Sequence, residues 1–262
     1  ALIAGLRTSG NIASAVTIGQ QIDETADVLV QLALCQLKVN PHTAVENAWR
    51  AVENQPGSPA AQAVLGLANE TCGDFANASN AMEAALRIWE DEPLWQARAA
   101  RLKSLIGEYE SAVAHWSKAV AMKPDALDWK IAYGKTLVQN GESEKAEEIL
   151  EEACQKDAAR IESWISLAEA KQMNGSLKEA LVCAENAIKI DPTYSPSYIQ
   201  CGEIAFASGQ TQEAAHYAKE AVKRDPKSAA AVLFQAKVTA KNGAPNTPAA
   251  MAEPMTPATL GP

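Results

Sequence analysis

Along most of the chain, apolar residues recur at helical spacing in segments of about thirteen residues, separated by short polar breaks. No stretch alternates apolar and polar positions for any length, as a half-buried strand would. The pattern therefore predicts an all-α chain. From residue 25 onward the segments come in pairs with a fixed period. Gly73, Gly107, Gly141, Gly175, Gly209 and Gly243 stand 34 residues apart. Ala78, Ala112, Ala146, Ala180 and Ala214 follow the glycines by five residues, and Ala85, Ala119, Ala153, Ala187 and Ala221 by twelve. Gly66, Ala100, Gly134, Ala168, Gly202 and Ala236 precede them by seven. Pro124, Pro192 and Pro226 follow by seventeen.

Each phase has a mechanical reason. A glycine between two helical segments reads as the left-handed residue that closes the first helix and lets the second begin. Small residues before and after it allow the two helices to approach closely. The proline lacks the N–H that a helix interior needs, so it ends the second helix and opens the next unit.

The clearest unit is IESWISLAEAKQMNGSLKEALVCAENAIKIDPTY, residues 161–194, with Trp164, Leu167, Ala168, Gly175, Ala180, Ala187 and Pro192 in phase. Unit 195–228 follows it through Tyr198, Gly202, Gly209, Ala214, Ala218, Ala221 and Pro226. This 34-residue helix–turn–helix arrangement resembles the tetratricopeptide repeat family. Units 59–92, 93–126 and 127–160 match more loosely: Glu90 and Ala158 replace proline, and Trp95 and Trp129 fall one position early. Unit 25–58 is degenerate, with Val39-Asn40-Pro41 in place of the glycine turn. The expected organisation is a degenerate N-terminal helical segment over 1–24, broken near Ser9-Gly10, and six repeat units over 25–228. A capping helix over 229–242 and a Pro/Ala-rich disordered tail over 243–262 complete it.

The resemblance implies a right-handed α-solenoid whose inner wall is built mainly by the first helix of each unit. Mapped onto this chain, the partner-binding groove comprises Leu29, Val30, Ala33 and Leu37, then Val64 and Leu67, Arg98 and Arg101, Lys135 and Gln139, Glu169, and Glu203. Its first half is apolar and requires a cover. That cover is either residues 1–24 or an upstream segment, or the apolar face of a partner helix or peptide. Arg98, Arg101 and Lys135 form a positive step beside it. A ligand apolar at one end and acidic at the other suits both. The Lys, Asn and Arg set with which chaperone-binding members of the family hold a terminal carboxylate is not carried at the matching positions. A cochaperone role is therefore not expected.

Composition narrows the function further. The chain has 262 residues, 47% hydrophobic and 21% charged, with a formal net charge of −9. That is a globular balance without the basic footprint of a nucleic-acid binder. No apolar run reaches the ~18 residues of a membrane span. Residues 1–92 carry four basic and eleven acidic side chains. That imbalance reads either as a solvated acidic surface or as a preference for basic partners near the N-terminal end. Cys35, Cys72, Cys154, Cys183 and Cys201 form no C-x-x-C pair and their number is odd, which points to a reducing, cytoplasmic location. No signal peptide is visible, although the chain begins with Ala and a segment could precede it.

Chemistry-bearing clusters are not found. His42, His115 and His216 lie in three different units without metal-ligand spacing. Cys154, Cys183 and Cys201 fall on packing phases, and the acidic run Glu142–Glu148 sits at a helix start and on its outer face, where the helix dipole and solvent favour it. The six tryptophans are assigned to helix packing or unit junctions, with Trp89 and Trp95 the most exposed. No catalytic residue, cofactor or metal is expected. The function expected is a non-enzymatic protein-interaction scaffold. The alternative is the repeat arm of a larger enzyme or signalling protein, and end-to-end self-association is a third possibility.

Overall fold

The computed structural model describes residues 2–19, 21 and 23–243. Among the described residues there are fifteen α-helices and no strand. The tail expected over 243–262 lies, from residue 244 on, outside them. The chain falls into two compact units, Ala1–Ser176 and Leu177–Pro262.

The first unit opens with two short helices, α1 (Leu2–Thr8) and α2 (Ile12–Gly19). Pairs follow: α3 (Ala26–Gln36) and α4 (Pro41–Asn54), α5 (Pro59–Thr71) and α6 (Phe75–Ile88), α7 (Pro93–Leu105) and α8 (Tyr109–Met122), α9 (Leu127–Gln139) and α10 (Ser143–Lys156), and then α11 (Ile161–Met173). From α1 to α11, helices consecutive in sequence pack on each other.

The turns inside the pairs explain the glycine period. Gly73, Gly107 and Gly141 have φ of +79°, +81° and +82°. The N–H that follows each glycine donates back to the preceding helix: Asp74 to Asn69, Glu108 to Lys103 and Glu142 to Leu137, at 2.9–3.0 Å. This satisfies carbonyls that a helix end otherwise leaves unpaired, and it needs a residue without a Cβ penalty at positive φ. Between α3 and α4 the chain turns without positive φ. Asn40 N–H donates to the Gln36 carbonyl at 2.8 Å, Pro41 opens α4, and the Asn40 side chain accepts from Thr43 N–H at 3.3 Å. Gly10, at φ +82°, separates α1 from α2.

The small-residue phase marks close helix approach. A Cβ at Gly134 would lie 2.5 Å from Leu150 Cγ, and one at Gly66 would lie 3.1 Å from the Ala78 carbonyl oxygen. Around these contacts, buried alanines and a few large side chains (Leu29, Met82, Leu102, Leu137 and Leu150) form the core. Ile3 and Ala15 pack with Cys35, so residues 2–19 cover one side of α3. Three lysines are nearly buried and tie neighbouring helices together. Lys103 bonds Glu83 and Glu108, Lys130 bonds Glu152, and Lys171 bonds Glu147 and Glu151. At Lys171 burial alone lowers the pKa, but the two glutamates outweigh it and hold the ammonium above its ordinary value.

The second unit contains α12 (Leu177–Ile190), α13 (Ser195–Ala207), α14 (Thr211–Arg224) and α15 (Ala229–Gly243). Gly209 repeats the positive-φ turn at +80°. A Cβ at Gly202 would lie 2.4 Å from a ring carbon of Phe234. Arg224 stacks 3.7 Å above the centroid of the Tyr198 ring and donates to the Pro192 carbonyl at 2.6 Å, while Tyr198 Oη donates to the same carbonyl at 3.1 Å. The sequence pattern pairs α11 with α12 in one repeat, whereas the border between the compact units falls between them.

Candidate functional site

The expected groove residues do not share one environment. Leu29, Val30, Ala33 and Val64 are buried, in a cluster completed by Ala48, Ala51, Ala61, Leu65 and Ala81. The exposed apolar wall expected at these four positions is therefore not there. α3 is held between α4 and α5, and its apolar face is consumed by that packing. Leu37 and Leu67 are half-buried, and Lys135 and Gln139 are exposed. Glu169 is half-buried at the end of the first unit, and Glu203 is half-buried in the second.

Three of the expected residues do converge. Leu67, Arg98 and Arg101 line a cavity of about 510 Å³ where α5, α7 and α9 meet. The first helices are unevenly spaced: α3 packs directly on α5 and α9 on α11, whereas α5 and α7 stand farther apart and side chains bridge the gap. Leu94, Trp95 and Ala97 of α7 and Asp128, Trp129 and Ala132 of α9 supply the walls, while Met82 and Trp116 reach it from α6 and α8. Trp95 meets Trp89 edge to face, with ring centroids 6.0 Å apart. Lys123 Nζ lies 5.6 Å from the Trp129 ring centroid. Trp116 is buried and its indole N–H has no hydrogen-bond partner among the described residues. Leu94 is 58% exposed, so an apolar rim continues outward from the cavity.

The electrostatics at the mouth are set by a carboxylate that the mapping by unit position puts on the inner wall without naming it as a counterion. Glu70, whose side chain is only 11% exposed, accepts from Arg98 Nη1 at 2.5 Å and is paired with Arg101 through its other oxygen. Burial lowers the Arg98 pKa. Two guanidiniums against one carboxylate leave one positive charge, and each guanidinium retains further N–H groups. Asp128, on the opposite wall, is paired with Arg160. Of the expected positive step, Arg98 and Arg101 stand together at this mouth, half-neutralised by Glu70. Lys135 does not line this cavity.

Two aromatic expectations change. Trp89 is exposed as expected, but Trp95 is half-buried against it; Trp49, assigned to packing, is 54% exposed. Position 49 lies off the stripe of Ala44, Ala48 and Ala51 that buries α4. The cysteines at packing phases are buried. Cys201 is pushed up to about 12 by burial and then by the Glu185 charge, which removes it as a nucleophile at neutral pH. Cys72 is half-buried, with its Sγ 4.0 Å from His42 Nδ1. Among the described residues no three His, Cys, Asp or Glu side chains are grouped to hold a metal ion. No helix among them is long and apolar enough to cross a membrane.

Residues 106–171 and residues 202–245 match tetratricopeptide repeat family profiles. These two stretches are tetratricopeptide repeats. Solved structures agree on the fold. A tetratricopeptide repeat protein from Parabacteroides merdae superposes with a TM-score of 0.73 at 17% identity, covering 83% of this chain and 86% of that one. YrrB, described as a TPR protein with an unusual peptide-binding site, gives 0.55 at 16% identity, covering 73% and 99%. The pilF protein of Pseudomonas aeruginosa gives 0.58 at 19% identity, covering 82% and 98%. No curated protein sequence matches the chain. Tetratricopeptide repeats fit a protein-interaction scaffold and are in general non-enzymatic.

Proposed function

We propose that this repeat protein binds a partner segment at the tryptophan-walled cavity between α5, α7 and α9. The observation that carries the reading is the joining of an open aromatic cavity to an arginine pair with one uncompensated positive charge. Interfaces concentrate their energy in buried aromatic and arginine anchors, and both types meet at this cavity. The occupant is a helix or extended peptide with a large apolar side chain and a carboxylate beside it. The apolar group replaces water against Leu67, Trp95 and Trp129, and the carboxylate accepts from Arg98 and Arg101. YrrB, of the same fold, is described as binding a peptide, which supports a peptide occupant. The protein then acts as a scaffold without chemistry of its own.

Acetylated and amidated peptides in an array, each varying one apolar and one acidic position, test this by anisotropy. Peptides carrying both groups should bind, and Arg101→Glu should weaken them by about tenfold or more, the effect of losing a hot-spot arginine. Lys227→Glu, in the second unit, should leave them unchanged. If no peptide binds, or if Arg101→Glu binds as the parent does, the reading is wrong.

A further inference from the structure

A second cavity, of about 390 Å³, opens between α4 and α6 over α5 and shares no lining residue with the first. Its apolar surface comes from Val45, Leu65 and Ala81, and Trp49 stands at its edge. The Trp49 indole N–H donates to Glu53 Oε1 at 3.0 Å, which fixes the ring against α4 and leaves it more than half exposed. Amide side chains from Gln62, Asn69, Asn77 and Asn80 complete the lining. Asn77 Nδ2 donates to Asp74 at 2.7 Å, so its carbonyl oxygen is the group left to accept.

Among the described residues no charged side chain lines this cleft, and carboxylates flank its tryptophan and its Asn77. Glu46, Trp49 and Glu53 occur at i, i+3 and i+7 on α4 and share one helix face. Asp74 caps α6 beside Asn77. Of the four basic residues in the first 92, none lines the cleft: Arg50 is paired with Glu24, Arg7 bonds Gln31, Arg87 lies at a separate cavity with His115, and Lys38 is in the α3–α4 turn.

We propose that this cleft is a second interaction site and that it takes an arginine-bearing segment of a partner protein. The match is to the whole side chain. The arginine methylenes cover Val45, Leu65 and Ala81, the guanidinium lies over the Trp49 face, and its N–H groups meet amide carbonyls and the Glu46 and Glu53 carboxylates. Lysine, with a compact and strongly hydrated charge, fits the same place less well. The site is independent of the arginine-lined cavity and of opposite charge preference, so one chain can hold two partner segments at once.

The probe is a labelled, acetylated and amidated Ala-Arg-Ala-Arg-Ala-Arg peptide, compared with the same peptide carrying citrulline, which keeps the shape and removes the charge. Binding is read by anisotropy on the full chain, and its place by the shift of the Trp49 indole N–H resonance. The arginine peptide should bind at least about twofold tighter than the citrulline peptide, and Trp49→Ala should lose about two- to fivefold, as a surface cation–π contact requires. Trp49→Phe, which keeps a ring, should recover part of the loss. Glu46→Gln with Glu53→Gln should weaken binding. Glu144→Gln with Glu148→Gln, on the exposed face of α10, should not, which separates the site from general attraction to an acidic protein. Far-UV circular dichroism should be unchanged in every variant, since each altered side chain is exposed. Equal affinity for the citrulline peptide, an unaffected Trp49→Ala, or equal losses in the two glutamate double variants would each overturn the proposal.

Discussion

Glu70 on α5 holds Arg98 on α7 at 2.5 Å, across a gap between two first helices that make little direct contact. With Arg101 on its second oxygen, one nearly buried carboxylate spans that gap. The three groups are unequal in solvent access. The arginines are 37% and 51% exposed, and the glutamate 11%. Removing Glu70 leaves two cations that water can reach. Removing both arginines leaves a carboxylate that water reaches poorly. Glu70→Gln is therefore expected to cost about 1 kcal/mol or less, and Arg98→Met with Arg101→Met about 2–3 kcal/mol. Urea unfolding of the variants measures the order, and a reversed order would show that the ion pairs do not carry this junction.

Gly134 tests the close approach of α9 and α10. An alanine there gains about 1 kcal/mol of helix propensity, but its Cβ meets three atoms of the fully buried Leu150 at 2.5–2.9 Å. Overpacking of this kind costs about 1–3 kcal/mol. Gly134→Ala should lower the melting temperature, and adding Leu150→Val should restore part of it. A rise in melting temperature for Gly134→Ala alone would mean that the helices separate freely.

His115 predicts a pH effect. Its Nδ1 lies 2.7 Å from Gln96 Oε1, and the Gln96 Nε2 donates to the Glu90 carbonyl at 3.0 Å, so the glutamine oxygen must accept from the imidazole. Burial is the main cause that lowers the His115 pKa; Glu83 opposes it, and Lys118 and Lys103 add to it. The folded state thus prefers the neutral ring, and stability is lost as pH falls below the unfolded value of about 6.5. The melting temperature should drop between about pH 7 and pH 5.5. The drop should be smaller in His115→Gln, which still offers Gln96 a donor. Identical pH profiles would rule out His115 as the cause.

Leu29 separates core from groove. It is fully buried among α3, α4 and α5. Leu29→Ala should cost about 2–5 kcal/mol of stability, as truncation in a packed core does. Peptide binding at the Arg98–Arg101 cavity should be unchanged at a temperature where the variant stays folded. A binding loss without a stability loss would return Leu29 to the binding surface.

The repeat was legible in the sequence because its causes are local. Positive φ at Gly73, Gly107 and Gly141 is required by the turn itself, whatever surrounds it. Small residues at Gly66 and Gly134 announce close approach for a similar reason. The Pro41 turn replaces the glycine by another local device, a proline start with an asparagine cap. The all-α class and the turns inside the pairs follow from such residues.

The surface was legible only in part. Mapping by unit position placed Leu29, Val30 and Val64 on an open wall, yet the packing of α3 against α4 and α5 buries them. The same mapping found Arg98 and Arg101 but not Glu70 as their counterion, nor Trp95 and Trp129 as walls of the cavity they share. The sequence assigns Trp49 to packing because nothing in the local pattern distinguishes a tryptophan covered by the next helix from one left uncovered. Periodicity determined which residues turn the chain and where the helices run, because these depend on neighbours within one or two turns. How far α5 stands from α7, and so where a cavity opens and which charge closes on which, depends on side chains about thirty residues apart meeting across helices. That was decided only in the tertiary structure.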